Sequence, residues 1–445
     1  MSDTSDRPAA ELRRDDDRPV IVVGGGIAGL VFARDVARAG RRVILLERAD
    51  RVGGQLSRHT VAGIDLDAGA ESYATRGGTV AALAAELGLQ HDIVSPSPAG
   101  AWLYQAEGRA LPLPATSILG IPGSPLASDV IAVLGAAAAS RAFFSDALLP
   151  GPVGAKSATL GELVRRRMGD AVLDKLVTPV AQGVHSAHPD DLPLDRVAPG
   201  VRIAMLREGS LARGVRDLRA AAPAGALVQG IRGGVSVLVD ALLADLGRLG
   251  VDVRTGVTAS RIDIDGVTVA VAVAGSPDER LPGDVVIAAS RTGDDPPAGT
   301  EVTLATLVVD DARLDAAPRG TGVLVAPGAR GVRAKALTHV TAKWQWVADM
   351  AGAGRHVLRL SYDGSPDRVP DAEGIRRDAS TLLGVTLAPG SVVGSAVVPW
   401  RRAEPEQPSE ARPFRVGEAA AGSGLAAVVR QARETAGSFL EGDAH

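Results

Sequence analysis

The hydrophobic pattern near the start of the chain predicts two buried strands with a helix between them. Val20–Val23 is an unbroken run of β-branched residues, which is typical of a parallel strand covered on both faces. A glycine-rich turn follows, and apolar residues at helical spacing then continue to Gly40. A second apolar run, Val43–Leu46, ends at Glu47. This order of strand, turn, helix and strand predicts the first unit of a parallel α/β domain.

Elements of the same character lie near the middle of the chain. Leucines at helical spacing predict a helix over residues 235–249, and a strand region begins at Val251. The apolar runs on either side of Asp265-Gly266 predict a β-hairpin. Residues 284–290 predict another buried strand, so this part of the chain can complete the same sheet.

The remaining stretches differ in their predicted content. Residues 75–228 are predicted to be largely helical, with breaks near 112–125 and 150–154. The segment that follows the middle α/β elements is predicted to contain strands at 301–309, 321–326 and 356–362.

Composition narrows the functional classes. The 445 residues are 46% hydrophobic and 22% charged, which is ordinary for a globular protein. The net charge of −4 provides no overall positive field, so we expect no nucleic-acid partner. The chain contains no cysteine, which excludes disulfides, thiolate catalysis, iron–sulfur clusters and cysteine-bound zinc.

The sequence predicts no membrane-spanning segment. Residues 1–18 mix both charge signs without an apolar segment, so we interpret them as a disordered, solvated tail rather than a secretory signal. The longest apolar stretch, Val130–Ala139, is too short to cross a bilayer and is predicted to be a core helix. We expect a cytoplasmic protein, with peripheral contact between this region and a membrane surface left open.

A dinucleotide-binding fingerprint follows the first strand as Gly24-x-Gly26-x-x-Gly29. The first glycine permits a tight turn, the second lets the backbone approach a pyrophosphate, and the third lets helix and strand pack closely. A pyrophosphate would then meet the free N–H groups and the positive end of the helix dipole. Glu47 stands at the end of the second strand, where a carboxylate can accept hydrogen bonds from a ribose.

Other polar groups have simpler interpretations. His185 and His188 are predicted to have loop or packing roles, because no third ligand of suitable spacing accompanies them, and we predict no metal site. Residues 165–167 are three consecutive arginines and predict an exposed helix face. Ser210 and Ser236 lack the turn that presents a hydrolase nucleophile.

Several further motifs, taken in order, carry a resemblance to a known family. They are Arg51-Val52-Gly53-Gly54, the stretch Asp67-Ala68-Gly69-Ala70-Glu71-Ser72-Tyr73-Ala74-Thr75-Arg76, Leu119-Gly120-Ile121-Pro122, Pro179 to His185, Gly233-Gly234, Lys343-Trp344 and Gly417 to Leu425. With the fingerprint they resemble the flavin amine oxidase superfamily and, within it, the FAD-dependent protoporphyrinogen and coproporphyrinogen oxidases of haem synthesis. The resemblance spans residues 19–440.

The resemblance implies a binding site for FAD, and we expect the cofactor to be non-covalent because the chain has no cysteine to form a thioether. Arg76 matches the arginine that would pair with a propionate of the substrate, and no residue is identified as a catalytic base. The residues implied to bind the cofactor are Gly24, Gly25, Gly26, Ile27, Ala28, Gly29, Glu47, Arg48, Gly53, Gly54, Gly69, Ala70, Glu71, Ser72, Val257, Trp400, Gly424 and Leu425.

The expected fold is α/β, with a Rossmann-like FAD-binding domain of the glutathione-reductase or amine-oxidase type, a helical insertion and a sheet-based substrate domain. The FAD-binding domain is expected to combine residues 19–74, 229–292 and 400–440. Residues 75–228 would form the helical insertion on the substrate side, and residues 293–399 the substrate-binding sheet domain.

The implied activity is oxidation of a porphyrinogen to the porphyrin, with O₂ as acceptor and hydrogen peroxide as product. Two departures from the family pattern keep alternatives open: Gln55 replaces the usual basic residue, and the segment from Arg401 to Val416 is short. An amine oxidase, a carotenoid desaturase, a relative with altered or lost activity, or a non-catalytic flavin-binding protein would share the scaffold. The sequence does not predict the oligomeric state or which porphyrinogen is preferred.

Overall fold

The computed structural model describes residues 18–185, 187–221, 227–262, 268–273, 279–289, 299–403 and 413–442. The predicted tail, the Asp265-Gly266 turn and most of the short segment after Ala403 therefore lie outside the described residues.

The described residues form strands, short 3₁₀ and π segments, and α-helices. The strands are β1 (Val20–Val23), β2 (Val43–Leu46), β3 (Arg58–Val61), β4 (Ile64–Asp67), β5 (Tyr73–Ala74), β6 (Ile93–Val94), β7 (Trp102–Tyr104), β8 (Ala110–Pro112), β9 (Ser117–Ile118), β10 (Ile121–Pro122), β11 (Val228–Ile231), β12 (Asp252–Arg254), β13 (Val257–Ile262), β14 (Thr268–Val273), β15 (Glu279–Pro282), β16 (Asp284–Ile287), β17 (Gly299–Asp310), β18 (Gly322–Val325), β19 (Ala336–His339), β20 (Arg355–Asp363), β21 (Val392–Ala403) and β22 (Phe414–Arg415). The α-helices are α1 (Ile27–Arg38), α2 (Thr79–Glu86), α3 (Ser128–Leu134), α4 (Ala136–Leu148), α5 (Leu160–Met168), α6 (Asp170–Val172), α7 (Thr178–His185), α8 (Leu194–Val197), α9 (Val201–Glu208), α10 (Leu211–Ala221), α11 (Val237–Arg248), α12 (Val340–Lys343), α13 (Gln345–Ala351), α14 (Ala372–Leu383), α15 (Glu418–Ala421) and α16 (Leu425–Gly442).

A five-stranded parallel sheet in the order β12-β2-β1-β16-β22 confirms the predicted α/β unit. Strands β1 and β2 are wholly buried, as their unbroken apolar runs predicted. Helices α1, α11 and α16 cover one face, where their apolar side chains form a single core with the sheet. The predicted helix over 235–249 is confirmed as α11, which begins two residues later and ends one residue earlier than predicted.

A seven-stranded sheet in the order β21-β17-β20-β19-β18-β7-β8 forms the second large layer. The predicted strands at 301–309, 321–326 and 356–362 are confirmed as β17, β18 and β20. Strands β19 and β21 were missed. Pro399 lies in the middle of β21 and is tolerated there because β21 is the edge strand of the sheet.

The prediction that residues 75–228 are largely helical is correct for α2 to α10 but misses several short strands. Strands β7 and β8 join the edge of the seven-stranded sheet, and β9 pairs with β10. Strands of two or three residues are too short for the alternation that identifies a strand in sequence.

The expectation that residues 165–167 form an exposed face is wrong for Arg167. Three consecutive helical residues point in directions about 100° apart, so one of them faces the core. The Arg167 side chain is fully buried, and its Nε donates to Asp146 at 2.7 Å. Ser210 also donates to Asp146, at 2.6 Å, so both polar residues stabilise the helical segment.

The apolar stretch Val130–Ala139 is not one helix. Gly135, at φ 81°, divides it into α3 and α4, whose axes differ by 115°. Val130, Val133 and Ala139 are buried in the core of the helical segment. Within the described residues, no single helix has both the length and the apolar composition needed to cross a membrane, although this bent pair meets that test when its two helices are taken together.

Strands β13 and β14 are antiparallel with Val257 opposite Val273, which confirms the predicted hairpin in its two arms. Strand β15 adds a third member to this sheet. Val257 lies at its start, next to the end of β2, and this position brings the small sheet to the predicted cofactor site.

Candidate functional site

The glycine loop between β1 and α1 has the three steric requirements of the fingerprint. A Cβ atom on Gly24 would lie 2.6 Å from the backbone nitrogen of Ala289, and one on Gly29 would lie 2.0 Å from the carbonyl oxygen of Gly24. At Gly26 the same atom would meet nothing within 4 Å. The outer glycines are therefore required by packing, whereas Gly26 faces open space at the start of α1. The predicted position of a pyrophosphate is in that space, beside the first turn of α1 formed by Ile27, Ala28 and Gly29.

The second glycine pair lies directly against this loop. The N–H of Gly53 donates to the carbonyl of Gly25 at 2.8 Å. A Cβ on Gly54 would lie 3.3 Å from the Cα of Gly26, and the φ of Gly54 is 57°. Two motifs that are separated by about 25 residues in sequence therefore form one backbone surface.

Glu47 is fixed at the end of β2 beside the glycine loop. Its carboxylate accepts from the N–H of Gly25 at 2.7 Å and from that of Ala49 at 2.8 Å. Each carboxylate oxygen keeps a further lone pair that can accept from a ribose hydroxyl. Arg48 is exposed, and the N–H of Val257 donates to the carbonyl of Glu47 at 2.9 Å, so that N–H is engaged within the protein.

A second long helix begins at a glycine that faces open space. Gly424 has a φ of 103°, and a Cβ on it would meet nothing within 4 Å. Leu425, the first residue of α16, is buried. Residues Gly24 to Gly29 and Gly424-Leu425 therefore share one arrangement, in which free N–H groups of a helix start face space that a ligand can fill.

Glu71 lies in a buried group of charges that we call the Glu71 cluster: Glu71, Lys343 and Arg359. The Lys343 ammonium donates to Glu71 Oε1 at 2.6 Å, and the Arg359 guanidinium lies 3.4 Å from Oε2. Burial alone would raise the pKa of Glu71, but the two cations outweigh burial and hold its pKa below the ordinary value. Two cations around one carboxylate leave the cluster with a net positive charge.

Arg359 holds the segment that contains Gly69 in place. Its guanidinium donates to the carbonyl of Gly69 at 2.9 Å and to the carbonyl of Asp67. Trp400 packs on the same segment: its indole N–H donates to the carbonyl of Ala68 at 2.9 Å, and a Cβ on Gly69 would lie 3.1 Å from the ring. Residues 69–72 are therefore held from two sides, with Ala70 exposed and Ser72 partly exposed.

Asp67 has a role that the sequence analysis did not identify. Its buried carboxylate accepts from the N–H groups of Val235 and Ser236 at 2.9 and 3.0 Å, so it caps the start of α11. A Cβ on Gly234 would lie 2.6 Å from this carboxylate, which explains the glycine before the helix. Burial raises the pKa of Asp67 despite these bonds.

Arg76 is exposed in the turn that precedes α2. Burial of part of its side chain and the charge of Arg430 lower its pKa. Neither observation tests the predicted substrate contact, which stays a prediction.

Arg402 and His185 form a second charged region, the Arg402 junction, that the sequence analysis did not identify. The Arg402 guanidinium donates to the carbonyl of Val184 at 3.3 Å, and burial lowers the pKa of both Arg402 and His185. The only sequence signal for Arg402 is its place two residues after Trp400. Arg359 had a clearer signal, because it interrupts the apolar run Val357–Leu360.

Two remaining features lie apart from these residues. His188 accepts from the N–H of Asp190 at 3.3 Å and caps a short turn. A cavity of about 320 Å³ is lined by Gln105, Asp174, Lys175, Thr178, Gln182 and His188, none of which belongs to the predicted cofactor or substrate site.

The residues present fit FAD. The open space at Gly26 and Gly424, the helix starts and the carboxylate of Glu47 are the donors and acceptors that a pyrophosphate and a ribose require. The Gly69–Ser72 segment is held rigidly close to them, as a site for a planar ring system requires.

Comparison with known proteins gives one family. A family model described as flavin containing amine oxidoreductase matches residues 27–303. The chain is 30% identical over 454 residues to the coproporphyrinogen III oxidase of Mycobacterium tuberculosis, covering 96% of this chain and 93% of that protein. It is 25% identical to the coproporphyrinogen III oxidase of Staphylococcus aureus, covering 82% and 84% of the two chains. A solved structure from Exiguobacterium that carries the name protoporphyrinogen oxidase has the same fold, with a TM-score of 0.79, 21% identity, and 95% and 99% of the two chains covered.

Proposed function

We propose that this chain, which belongs to the family of flavin containing amine oxidoreductases, oxidises a porphyrinogen to the corresponding porphyrin in haem synthesis. The protein is an FAD-dependent oxidoreductase. The observation that carries the substrate assignment is the similarity to coproporphyrinogen III oxidases, which extends over 96% of the chain. Molecular oxygen is the proposed acceptor, with hydrogen peroxide as the product.

The residues divide the work of the reaction between them. When bound, FAD supplies the acceptor for the electron pairs that leave the substrate. The glycine loop, Glu47 and the start of α16 hold the cofactor. The Glu71 cluster holds residues 69–72, which are predicted to bind the cofactor, so that the ring system of the cofactor would be kept in one position relative to the substrate.

Turnover is tested with the purified protein in air. Coproporphyrinogen III and protoporphyrinogen IX are each added, and porphyrin fluorescence is followed against heat-inactivated protein as the blank. The proposal expects a rate above that of spontaneous oxidation, together with hydrogen peroxide in proportion to porphyrin. Rates equal to the blank with both substrates would overturn it.

The cofactor site is tested with Gly26→Val. The φ of Gly26 is −71° and its Cβ position is empty, so valine fits the protein itself and should obstruct only the pyrophosphate. We expect a folded protein that has lost most of its flavin absorbance. Gly390→Val, at another position where a Cβ meets nothing, is the control and should keep its flavin. Full flavin occupancy in Gly26→Val would contradict the assignment.

Non-covalent attachment is part of the proposal, because the chain has no cysteine to form a thioether. Acid precipitation should release the yellow flavin into the supernatant. Flavin that stays in the pellet would show a covalent link.

Contact with a membrane surface is a further part of the proposal and rests on α4. Phe143, Phe144 and Leu148 expose 38%, 56% and 79% of their surface on this helix. Sedimentation with anionic vesicles, compared between the unmodified protein and Phe144→Ser, tests it. Equal sedimentation of the two proteins would argue against contact through α4.

A further inference from the structure

Arg402 stands where three parts of the molecule meet. It belongs to β21 and lies two residues after Trp400, so both side chains leave the same face of the strand. Trp400 contacts the Gly69 segment, whereas Arg402 reaches Val184 at the end of α7. The next residue, Ala403, donates to Glu418 of α15. The guanidinium therefore lies between the seven-stranded sheet, the helical segment and the start of the C-terminal helices, and such junctions are where ligands are usually bound.

The Arg402 guanidinium differs from the other buried arginines of the described residues in its partners. Among the described residues Arg402 forms no ion pair, in contrast to the buried Arg167, which contacts Asp146, and Arg359, which contacts Glu71. Burial lowers the pKa of Arg402, whereas the negative charge of Glu418 raises this pKa without forming an ion pair with the guanidinium. The Glu418 Oε2 atom accepts hydrogen bonds from the side-chain amide of Gln55 at 3.2 Å and from the N–H of Ala403 at 3.3 Å.

The surroundings of Arg402 leave its donors available. A guanidinium has five N–H donors, and within the part of the chain that the structure describes Arg402 has one acceptor, the carbonyl of Val184. Arg402 is only partly exposed, so a ligand that reaches it is largely shielded from water. A partly buried cation without a carboxylate is costly unless a ligand supplies the opposite charge.

His185 is the neighbour that modulates this position. Burial lowers its pKa to about 4, and the charge of Arg402 contributes to this. The imidazole is therefore neutral at pH 7 and adds no second positive charge, while one of its ring nitrogens can donate a hydrogen bond.

We infer that Arg402, with His185 beside it, forms an anion-binding position that holds one carboxylate of the substrate. The inference rests on the proposed function, because a porphyrinogen carries several carboxylate side chains around its rim. A guanidinium suits this task since it forms two parallel hydrogen bonds with a carboxylate. It adds a substrate contact on β21 to the one predicted at Arg76.

The test measures binding without turnover. Coproporphyrin III, the oxidised tetracarboxylate, and its tetramethyl ester are titrated into the flavin-loaded protein, and the Soret absorbance gives the two dissociation constants. We expect Arg402→Met to weaken binding of the free acid about 10- to 100-fold, because charge-assisted hydrogen bonds are lost, and to leave ester binding unchanged. Arg402→Lys should recover part of the loss. Arg377→Met, at an exposed position on α14, should have no effect.

The outcomes separate this inference from the proposed function. If Arg402→Met binds the free acid as tightly as the unmodified protein, or if Arg76→Ala alone weakens binding, the inference is wrong although the porphyrin assignment stands. If the unmodified protein binds neither porphyrin, the proposed function fails, and the anion site is then decided with 50 mM sodium propionate against sodium chloride. An increase in melting temperature by propionate that is lost in Arg402→Met supports the site, and an equal increase in both proteins, or none, overturns it.

Discussion

The Glu71 cluster and the Arg402 junction are two charged regions beside the same predicted cofactor site, and they differ in how their charge is balanced. In the Glu71 cluster one carboxylate contacts two cations, and the Arg359 guanidinium also donates to the carbonyls of Asp67 and Gly69. At the Arg402 junction the described residues offer the cation one carbonyl acceptor and a neutral histidine. The charges of the first region therefore have partners among the described residues, whereas the second region is the inferred ligand position.

This difference separates a structural role from a binding role. A buried cluster whose charges contact one another fixes the backbone, and removal of one partner leaves the others unpaired and desolvated. A cation that contacts no carboxylate contributes little to folding and is retained where a ligand completes it. Stability measurements and binding measurements should therefore respond in opposite ways in the two regions.

The largest expected effect is the loss of stability in Glu71→Gln. The substitution leaves Lys343 and Arg359 buried without a carboxylate, and removal of one partner from a buried pair costs about 3–5 kcal/mol. Urea unfolding of the flavin-loaded protein, followed by circular dichroism, gives the free energy. Asp310→Asn, which removes an exposed ion pair with Arg355, is the control and should change little. A loss in Glu71→Gln no larger than in the control would remove the distinction between the two regions.

A second, smaller effect concerns how the free energy of unfolding depends on pH, which distinguishes the Glu71 cluster from other buried groups. His339 and His356 form a buried pair, with 3.1 Å between Nε2 of His339 and Nδ1 of His356. Burial lowers the pKa of His339 from 6.5 to about 3 and also lowers the pKa of His356. His339 is therefore neutral in the folded protein over the range considered, so the unfolded chain binds more protons below about pH 6.5 and stability falls as the pH falls. The pKa of Glu71 is lowered from 4.5, so its contribution is lost only below about that pH.

Between pH 6.5 and 5, the buried histidine should therefore make the free energy of unfolding fall with falling pH, whereas the Glu71 cluster should not change it over this range. One group whose pKa is strongly lowered contributes about 1–2 kcal/mol of lost stability over this range, at roughly 1.4 kcal/mol per pH unit. The free energy of unfolding, measured with urea at four pH values, should change less steeply with pH in His339→Gln than in the unmodified protein. Glu71→Gln is the matched control, and its free energy of unfolding should change with pH as steeply as that of the unmodified protein. An unchanged slope in His339→Gln would refute the assignment of the pH effect to the buried pair.

The sequence was sufficient for the part of the site that depends on backbone. Gly24, Gly26 and Gly29 have the steric environments expected of them, because a glycine requirement is local and strand, turn and helix follow one another in the chain. Gly53 could be placed on the loop only by the resemblance, since its contact with Gly25 joins two turns through a hydrogen bond that leaves no periodic signal.

The charged part of the site could not be derived in the same way. Glu71 and Lys343 are separated by 272 residues, so no local sequence pattern predicts that they form an ion pair. Arg402 belongs to strand β21, which contains Pro399, and a proline in a sequence argues against a strand. Because β21 was not predicted, the sequence did not show that Trp400 and Arg402 lie on one face. Arg167 was assigned to the surface because its buried partner, Asp146, lies on another helix.

The smallest expected effect is on the stability of Arg402→Met, and it completes the comparison. Methionine keeps an unbranched, flexible side chain that fills part of the same partly buried space, and it removes a charge that no carboxylate of the described residues contacts. The hydrogen bond to the carbonyl of Val184, at 3.3 Å, is long and its loss costs little because Val184 is half exposed. The free energy of unfolding should therefore stay within about 1 kcal/mol of the unmodified protein, or rise, while binding of coproporphyrin weakens. Urea unfolding of Arg402→Met and Glu71→Gln under identical conditions, without porphyrin, makes the measurement, and Arg402→Lys should match the unmodified protein. A loss in Arg402→Met as large as that in Glu71→Gln would make Arg402 a structural residue, and the two regions would then differ only in which partners they use.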